Sequence, residues 1–358
     1  MLDELERRSL TASLNFQKAQ PATDAELCLF HAPDFVAGVR ARCATNRGSL
    51  DRAPAQVNAN ARRLLTAVAA EERATAQTLA TVLTDLHSTF EAFAPFLVSE
   101  GLVTWDDDQV QLTEGGRDFL ADPGATLGGP TYARAHAEQA ARWICGAVLH
   151  ATRGLVDTPD TVFIPIAGFH HAHRDEARMY CLYNDPALAI AAALETLEGP
   201  VAYIDIDIHH GDGVYRAFAD DPRVIIADLH ERPVTGPTEY SGEGPAAGSK
   251  LTLGIAPGTD DDAYFAVWEQ VEAFVDAAEP AFVIFEAGVD GLADDPLSDQ
   301  ALTPEVFGRI ARRVKALADE HAGGRLLVLG GGGYEPTGTA RAWATIVQAL
   351  VSTSTGRG

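Results

Sequence analysis

The chain has 358 residues, of which 46% are hydrophobic and 22% charged, so it is long enough to bury a large core and somewhat long for one ordinary domain. Its net charge is −24, from 51 acidic and 27 basic residues. Such an acidic body argues against a general nucleic-acid partner and favours cationic ligands or plain solubility.

Residues 1–44 are predicted to be mostly helical. A helix is expected over residues 24–39, because Thr23 or Asp24 provides an N-cap and Glu26 adds an acidic side chain to the first turn. A polar break then separates this N-terminal region from the next part of the chain.

Residues 55–122 show three helical segments, then two short strands over 102–105 and 109–112, then a short helix from Thr113. This order resembles a winged helix-turn-helix module, which usually binds DNA through a basic helix. The segment has four basic and eleven acidic residues, and its candidate recognition helix, 86–98, has no Lys or Arg. Because phosphate neutralisation dominates non-specific DNA affinity, we expect a lid, a dimer interface or a packing element instead.

From residue 131 onward, apolar strand-like runs alternate with helical segments. The predicted helices cover residues 132–152, 186–197, 265–278 and 304–318, and the predicted strands cover 162–166, 201–208, 224–227, 282–285 and 326–329. This alternation predicts an α/β fold with a mostly parallel sheet and helices on both faces. Ligands of such sheets bind beyond the carboxyl ends of the strands, and four of the predicted strands are followed by clusters of polar or glycine residues.

The strand from residue 201 carries Asp205, Asp207 and His209, which share one face because side chains alternate along a strand with a period of two. A buried, ionised carboxylate without a partner costs several kcal/mol or more, so two carboxylates and an imidazole in one row require a cation. Oxygen and nitrogen donors suit zinc or a similar first-row divalent ion. The alternative is a half-exposed strand with a polar outer face.

Three further predicted strands are followed by clusters of this kind. His170 and His171 follow the strand at 162–166, Glu286 to Asp290 follow the strand at 282–285, and four glycines and Tyr334 follow the strand at 326–329. Each has an ordinary explanation when taken alone. A histidine pair is more often in the core or on the surface than catalytic, and an aspartate after a strand is usually an N-cap. The glycine run is not followed by Lys-Ser/Thr, which excludes a P-loop. Four clusters at one edge of one sheet indicate a functional site.

Together these motifs resemble the zinc-dependent histone deacetylase family, which includes bacterial acetoin-utilisation-type and acetylpolyamine deacetylases. The resemblance rests on residues 169–172, 181–185, 203–213, 288–292 and 329–334. It implies an arginase/deacetylase-like catalytic domain formed by residues 1–54 and 123–358, with the winged-helix-like module inserted at 55–122.

The resemblance implies a metal centre. Asp207, His209 and Asp290 match the zinc ligands of the family, and ferrous iron is an alternative native metal. The family also binds a potassium ion beside the central strand, through main-chain and Asp205 oxygens. Asp228 stands where the family usually has serine, so the chain departs from the family at the potassium site.

The resemblance also assigns the residues around the metal. His170 and His171 match the tandem histidines that act as general base and general acid. Asp205 would orient His170, and Asp212 would orient His171, because a carboxylate partner fixes the tautomer of a histidine. Tyr334 matches the tyrosine whose hydroxyl polarises the scissile carbonyl and stabilises the oxyanion.

The substrate channel departs from the family. Met179 and Tyr180 replace Gly-Phe, and residues 232–238 replace the usual Phe-Pro-Gly-Thr-Gly loop. A methionine fills space that a glycine leaves open, so a long lysine stem should fit poorly. Glu286, four residues before Asp290, and the acidic body favour a cationic amine.

The combined prediction is a zinc-dependent amidohydrolase that removes an acetyl or other acyl group from a small, cationic amine such as an acetylpolyamine. The alternatives are a protein acetyl-lysine deacetylase and a non-catalytic regulatory protein that uses the inserted module. The four cysteines form no CxxC pair, which is typical of thiols in a reducing compartment. No apolar run reaches about 18 residues, and the N-terminus lacks the apolar core of a signal peptide. We therefore expect a cytoplasmic protein without a membrane partner. Nucleic acid is not an expected partner, and a homo-oligomer is compatible with the sequence.

Overall fold

The computed structural model describes residues 1–45, 50, 55–70, 74–75, 79, 97–98, 102–106, 109–121, 136–232, 242 and 244–352. The helices are α1 Leu2–Arg7, α2 Asp24–Leu27, α3 Pro33–Thr45, α4 Ala55–Ala70, α5 Glu114–Ala121, α6 Ala137–Asp157, α7 Asp185–Leu194, α8 Asp212–Phe218, α9 Asp261–Ala277, α10 Pro304–His321 and α11 Pro336–Val351. The strands are β1 Ala74–Thr75, β2 Val103–Asp106, β3 Gln109–Leu112, β4 Thr161–Ile164, β5 Val201–Asp205, β6 Val224–Glu231, β7 Lys250–Ile255, β8 Phe282–Glu286 and β9 Leu326–Leu329. Among the described residues, no helix combines the length and the apolar character that a membrane span needs.

The chain divides into two compact units. The first unit comprises Met1–Thr45, Arg134–Ala177 and Cys181–Gly358, and the second comprises Asn46–Ala133 with Arg178–Tyr180. The domain boundaries inferred from the sequence stay a prediction.

The first unit is built on a six-stranded parallel sheet of order β4-β9-β8-β5-β6-β7, which confirms the predicted sheet type. Strand β5 is central and pairs with β8 on one side and β6 on the other. The register aligns Asp205 of β5 with Glu286 of β8 and with Asp228 of β6. Three carboxyl residues from neighbouring strands therefore form one row toward the carboxyl edge of the sheet.

Helices pack against this sheet and make it a rigid platform. Buried side chains of α9, α10 and α11, such as Trp268, Phe307 and Ile346, form one hydrophobic cluster with Ile204 and Phe285 of the strands. Helix α7 contacts β5 and β8, and α6 contacts β4 and β9. Each fully buried large apolar side chain contributes roughly 1.5–3 kcal/mol relative to an exposed one, so the strand ends that carry the polar clusters are firmly held.

The central strand ends at Asp205, earlier than the sequence predicts, and this corrects the idea that one strand carries the whole row of polar side chains. The Ile206 amide still donates to the Glu286 carbonyl of β8 at 3.1 Å, and the next three amides donate to carboxylates. The Asp207 amide donates to Asp205 Oδ1 at 3.0 Å, the Ile208 amide to Asp290 Oδ1 at 2.9 Å and the His209 amide to Asp207 Oδ1 at 2.9 Å. Asp207 and His209 therefore lie in a bend that is fixed by the site's own side chains.

Other elements differ in detail. The helix predicted over 24–39 is two helices, α2 and α3, because Pro33 starts a new helix and restricts the residue before it. The capping box of Thr23 and Glu26 at the start of α2 confirms the predicted N-cap. Strand β6 extends to Glu231, and β7, α8 and α11 are elements that the sequence analysis missed.

The second unit contains α4, α5 and a small antiparallel sheet in which β3 lies between β1 and β2. Its buried cluster includes Leu64, Leu65, Val110 and Phe119. Both predicted strands and the final short helix are confirmed. Most of the candidate recognition helix, residues 86–98, lies outside the described residues, so the winged-helix interpretation stays a prediction.

Candidate metal centre and catalytic histidines

Two carboxylates and one imidazole meet beyond the ends of β5 and β8. The nearest ligand atoms of Asp207, His209 and Asp290 all lie within 4.8 Å of one another. His209 Nδ1 is 2.8 Å from Asp290 Oδ2 and 3.2 Å from Asp207 Oδ1. Both carboxylates are buried, whereas the His209 side chain is 33% exposed, so the triad is reached from one side.

The backbone of the glycine-rich segment after β9 packs closely against this triad. The Gly332 amide donates to Asp207 Oδ2 at 2.6 Å. A Cβ atom at Gly332 would lie 2.4 Å from Asp290 Oδ2, which is closer than real Cβ contacts allow. Only glycine can bring its backbone this close to both carboxylates.

The buried carboxylates of the triad favour a bound cation. Burial and the neighbouring Asp207 carboxylate raise the pKa of Asp290 to about 7. Burial lowers the pKa of His209, but its hydrogen bonds to the Asp207 and Asp290 carboxylates, together with their charges, outweigh this and raise it to about 10. A bound divalent ion would compensate two buried carboxylates, and a set of two oxygens and one nitrogen fits zinc or ferrous iron.

Two histidines lie beside the triad, and each has its own carboxylate. His170 Nδ1 is 2.9 Å from Asp205 Oδ2, and His171 Nδ1 is 2.7 Å from Asp212 Oδ1. The two Nε2 atoms are 3.1 Å apart, and His170 Nε2 is 3.8 Å from Asp207 Oδ1. The structure thus brings together the predicted metal ligands and the predicted histidine–carboxylate pairs.

The environment gives the two histidines opposite charge states. Burial lowers the pKa of His170, but the Asp205 and Asp207 carboxylates beside it outweigh this and raise it well above its ordinary value. Burial and the charge of His170 lower the pKa of His171 to about 4. These shifts favour the imidazolium form of His170 and the neutral form of His171; a neutral His171 that donates from Nδ1 to Asp212 has Nε2 as its proton acceptor.

A family model described as "Histone deacetylase domain" matches residues 1–350. The chain belongs to the histone deacetylase family. The acetoin utilization protein AcuC of Bacillus subtilis (strain 168) is 32% identical over 286 residues, which is 73% of this chain and 73% of AcuC. Histone deacetylase 8 of Xenopus laevis is 33% identical over 214 residues, which is 58% of this chain and 64% of the frog protein.

A solved structure titled "Crystal Structure of HDA15 HD domain" has a TM-score of 0.65 and covers 100% of this chain and 81% of its own. At 21% identity this likeness shows the fold. The family membership makes the chain a deacetylase, an enzyme that hydrolyses an amide bond, and such enzymes are typically metal-dependent.

The loop that carries the deacetylase's tandem histidines is anchored by Asn184, whose role the sequence analysis missed. Asn184 Nδ2 donates to the carbonyls of His170 at 3.1 Å and Ala172 at 2.8 Å, and Asn184 Oδ1 caps α7 by accepting from the Ala187 amide at 2.8 Å. The Asn184 amide donates to Nε2 of the buried His31 at 3.0 Å. An Asn just before an Ala-rich helix is a recognisable N-cap signal, but its side-chain donors can be assigned only from the fold.

Two further buried side chains support the same loop. Asp185 accepts from the amides of Gly168 at 2.8 Å and Phe169 at 2.9 Å. The Tyr203 hydroxyl donates to Asp205 Oδ2 at 2.7 Å. The same oxygen of Asp205, Oδ2, therefore forms hydrogen bonds with both His170 and Tyr203, and these fix the orientation of the carboxylate.

Tyr334 lies at the end of the glycine-rich segment, two residues after Gly332. Its amide donates to Asp295 Oδ2 at 2.6 Å, and the residue is 44% exposed. The backbone is thus pinned while the ring reaches solvent. The Asp295 contact was missed in the sequence analysis because no local pattern marks it.

The predicted channel residues have unusual backbones. Met179 and Tyr180 adopt φ angles of +44° and +69°, a region that favours glycine, and Tyr180 is 54% exposed. A positive φ agrees with the glycine that the family usually has at the first position. Residues 233–238 of the predicted channel loop lie outside the described residues.

Glu286 differs from its expected role as a source of negative charge for a cationic amine. The residue is fully buried, and neither carboxylate oxygen has a hydrogen-bond partner among the described residues. Burial and the charge of Asp205 raise the pKa of Glu286 well above its ordinary value. Because the carboxyl is fully buried, it presents no exposed negative charge to a substrate.

Proposed function

We propose that the chain is a zinc-dependent deacetylase that hydrolyses the amide of a small acylated amine. One observation carries the proposal: the triad of Asp207, His209 and Asp290 lies next to two histidines that have separate carboxylate partners. The same triad is proposed to hold the ion.

When bound, zinc supplies Lewis acidity toward a water molecule and the amide carbonyl. Nε2 of the neutral His171 accepts a proton from the attacking water, and Asp212 at Nδ1 stabilises the imidazolium that results. His170, held by Asp205, stabilises the negative charge that develops on the substrate oxygen, in place of the general-base role that the family resemblance implies for it. The Tyr334 hydroxyl donates a hydrogen bond to that oxygen. His171 then protonates the amine nitrogen as the C–N bond breaks, so that water and the amide become acetate and amine.

A small substrate is favoured by Met179, which occupies a position where the family usually has glycine. This part of the proposal rests on the sequence: a methionine is larger than the glycine usual at this position in the family and would leave less room for an extended lysine stem. A cationic amine is favoured by the net charge of −24, which acts over the whole surface. Glu286 does not contribute to the preference for a cationic amine, because its carboxyl is fully buried.

The test compares kcat/KM of the zinc-loaded protein for N-acetylputrescine, N-acetylspermidine and an acetyl-lysine peptide, with released acetate measured by mass spectrometry. We expect the acetylated amines to be preferred. Met179→Gly should raise the peptide value, whereas the matched control Met179→Leu should not. Wild-type preference for the peptide would refute the substrate proposal alone. A lack of turnover on every acetylated amine and peptide would refute the proposed function itself.

A further inference from the structure

A second group of side chains with metal-binding donor atoms lies next to Gly211. His210 follows β5, and Asp228 and His230 lie at alternate positions of β6, so their side chains share one face of the strand. One ligand atom from each of the three residues lies within 4.8 Å of the others. We propose that His210, Asp228 and His230 bind a second divalent transition-metal ion.

The spacing resembles that of the first triad. His210 Nδ1 is 2.9 Å from Asp228 Oδ2, and His230 Nδ1 is 2.6 Å from Asp228 Oδ1. In the first triad the corresponding nitrogen–oxygen separations are 2.8 and 3.2 Å. The imidazole rings of His210 and His230 lie 4.7 Å apart between their centroids, and Nδ1 of each ring lies close to the Asp228 carboxylate.

The three side chains are largely buried, and a backbone contact orients the Asp228 carboxylate. Asp228 is 1% exposed and His230 2% exposed, whereas 21% of the His210 side chain is exposed, so an ion can enter from one side. The Gly211 amide donates to Asp228 Oδ2 at 2.8 Å and fixes the carboxylate. A ligand that is already oriented loses little freedom when it binds an ion.

The surroundings hold several buried carboxylates. A Cβ atom at Gly211 would lie 2.6 Å from Asp205 Oδ2 and 3.3 Å from Asp228 Oδ2, so these two acidic side chains flank the same glycine. Asp205 is fully buried, and Asp207 lies two residues beyond it. Burying several carboxylates together is costly, and a cation at Asp228 would offset part of that cost.

The donor types indicate the class of ion. Two imidazole nitrogens and one carboxylate oxygen suit Zn²⁺, Co²⁺, Ni²⁺ or Cu²⁺, whereas Mg²⁺ and Ca²⁺ prefer oxygen donors alone. Three protein ligands leave room for water or another small ligand. The alternative is that Asp228 simply accepts hydrogen bonds from two Nδ1–H groups, and this alternative predicts no bound ion.

The test measures zinc content after the metal-free protein has been incubated with Zn²⁺ and desalted, by inductively coupled plasma mass spectrometry. We expect two equivalents in the wild type, one in Asp228→Ser and one in Asp290→Asn. The double variant should bind none. His321→Asn, which changes the exposed Asp276–Glu320–His321 group, is the matched control and should keep two equivalents.

The outcomes separate the two sites. One equivalent in both the wild type and Asp228→Ser would overturn the second site and leave the first intact. Unchanged zinc content in Asp290→Asn would instead count against the first site. Because Asp228→Ser removes a buried carboxylate, its fold is checked by circular dichroism. His210→Asn, at a partly exposed position, provides a second variant that should also fall from two equivalents to one.

Discussion

Acidification should destabilise the protein through His31, the buried imidazole that supports the tandem-histidine loop. Burial lowers the pKa of His31 to about 4, against about 6.5 for an imidazole in the unfolded chain. As the pH falls, the unfolded chain therefore takes up the proton first. The stabilisation is fully present above the unfolded-state pKa, decreases between about pH 6.5 and pH 4 and is constant below that range.

The size of the effect follows from the pKa difference. Each pKa unit corresponds to about 1.4 kcal/mol, so the complete loss is about 3 kcal/mol, of which about 2 kcal/mol is lost by pH 5. The hydrogen bonds of His31 explain why protonation of its imidazole is unfavourable in the folded state. His31 Nδ1 is 3.2 Å from the Arg174 carbonyl, and Nε2 accepts from the Asn184 amide at 3.0 Å. A proton on Nε2 would remove that acceptor.

The assay is urea unfolding at pH 7.5 and pH 5, for the wild type and for His31→Gln and His31→Phe. Neither variant side chain titrates, so both should lose about 2 kcal/mol less than the wild type between the two pH values. Gln can still accept from Asn184, whereas Phe cannot, so His31→Phe should be the less stable at pH 7.5. The reasoning would be refuted if both variants lost as much stability on acidification as the wild type.

Three further predictions address the site and the second unit. Tyr334→Phe should retain its metal but lose about 10²–10³ in kcat, because one oxyanion donor is removed; near-normal turnover on a true substrate would exclude Tyr334 from the mechanism. Asn184→Ala should cost about 2–5 kcal/mol in urea unfolding, because a helix cap is lost and two buried carbonyls lose donors; a change below about 0.5 kcal/mol would contradict the anchoring role of Asn184. The acidic segment 55–122 should show no DNA binding in a fluorescence assay of the whole protein at low salt, where charge-driven binding is strongest, and micromolar or tighter binding would contradict this.

The sequence predicts much of the architecture because local patterns determine it. Alternating apolar strands and helices predict the parallel sheet, and the carboxyl ends of parallel strands necessarily share one edge. Asp207 and His209 on one connection and Asp290 on another therefore meet without any knowledge of the detailed fold. The tandem His170 and His171 reach the same edge for the same reason.

The parts that were missed depend on contacts between distant residues. The early end of β5 arises because the Asp205 and Asp290 carboxylates accept hydrogen bonds from the amides of Asp207 and Ile208, which a longer strand would give to its neighbour. The raised pKa of Glu286 follows from its complete burial in β8 and from the charge of Asp205 beside it. The cluster of His210, Asp228 and His230 can be recognised only when β6 is placed next to β5, because His210 lies in the segment after β5 and the other two residues lie on β6.

The most direct test of the central claim is acetate release from an N-acetylated amine by the metal-free protein as zinc is added back. We predict no turnover without metal and recovery of turnover in the wild type on addition of zinc. The Asp290→Asn variant should show no such recovery, although it keeps its fold. Equal turnover by the metal-free and zinc-loaded wild type, or full recovery in Asp290→Asn, would contradict the assignment of Asp207, His209 and Asp290 as the catalytic metal site.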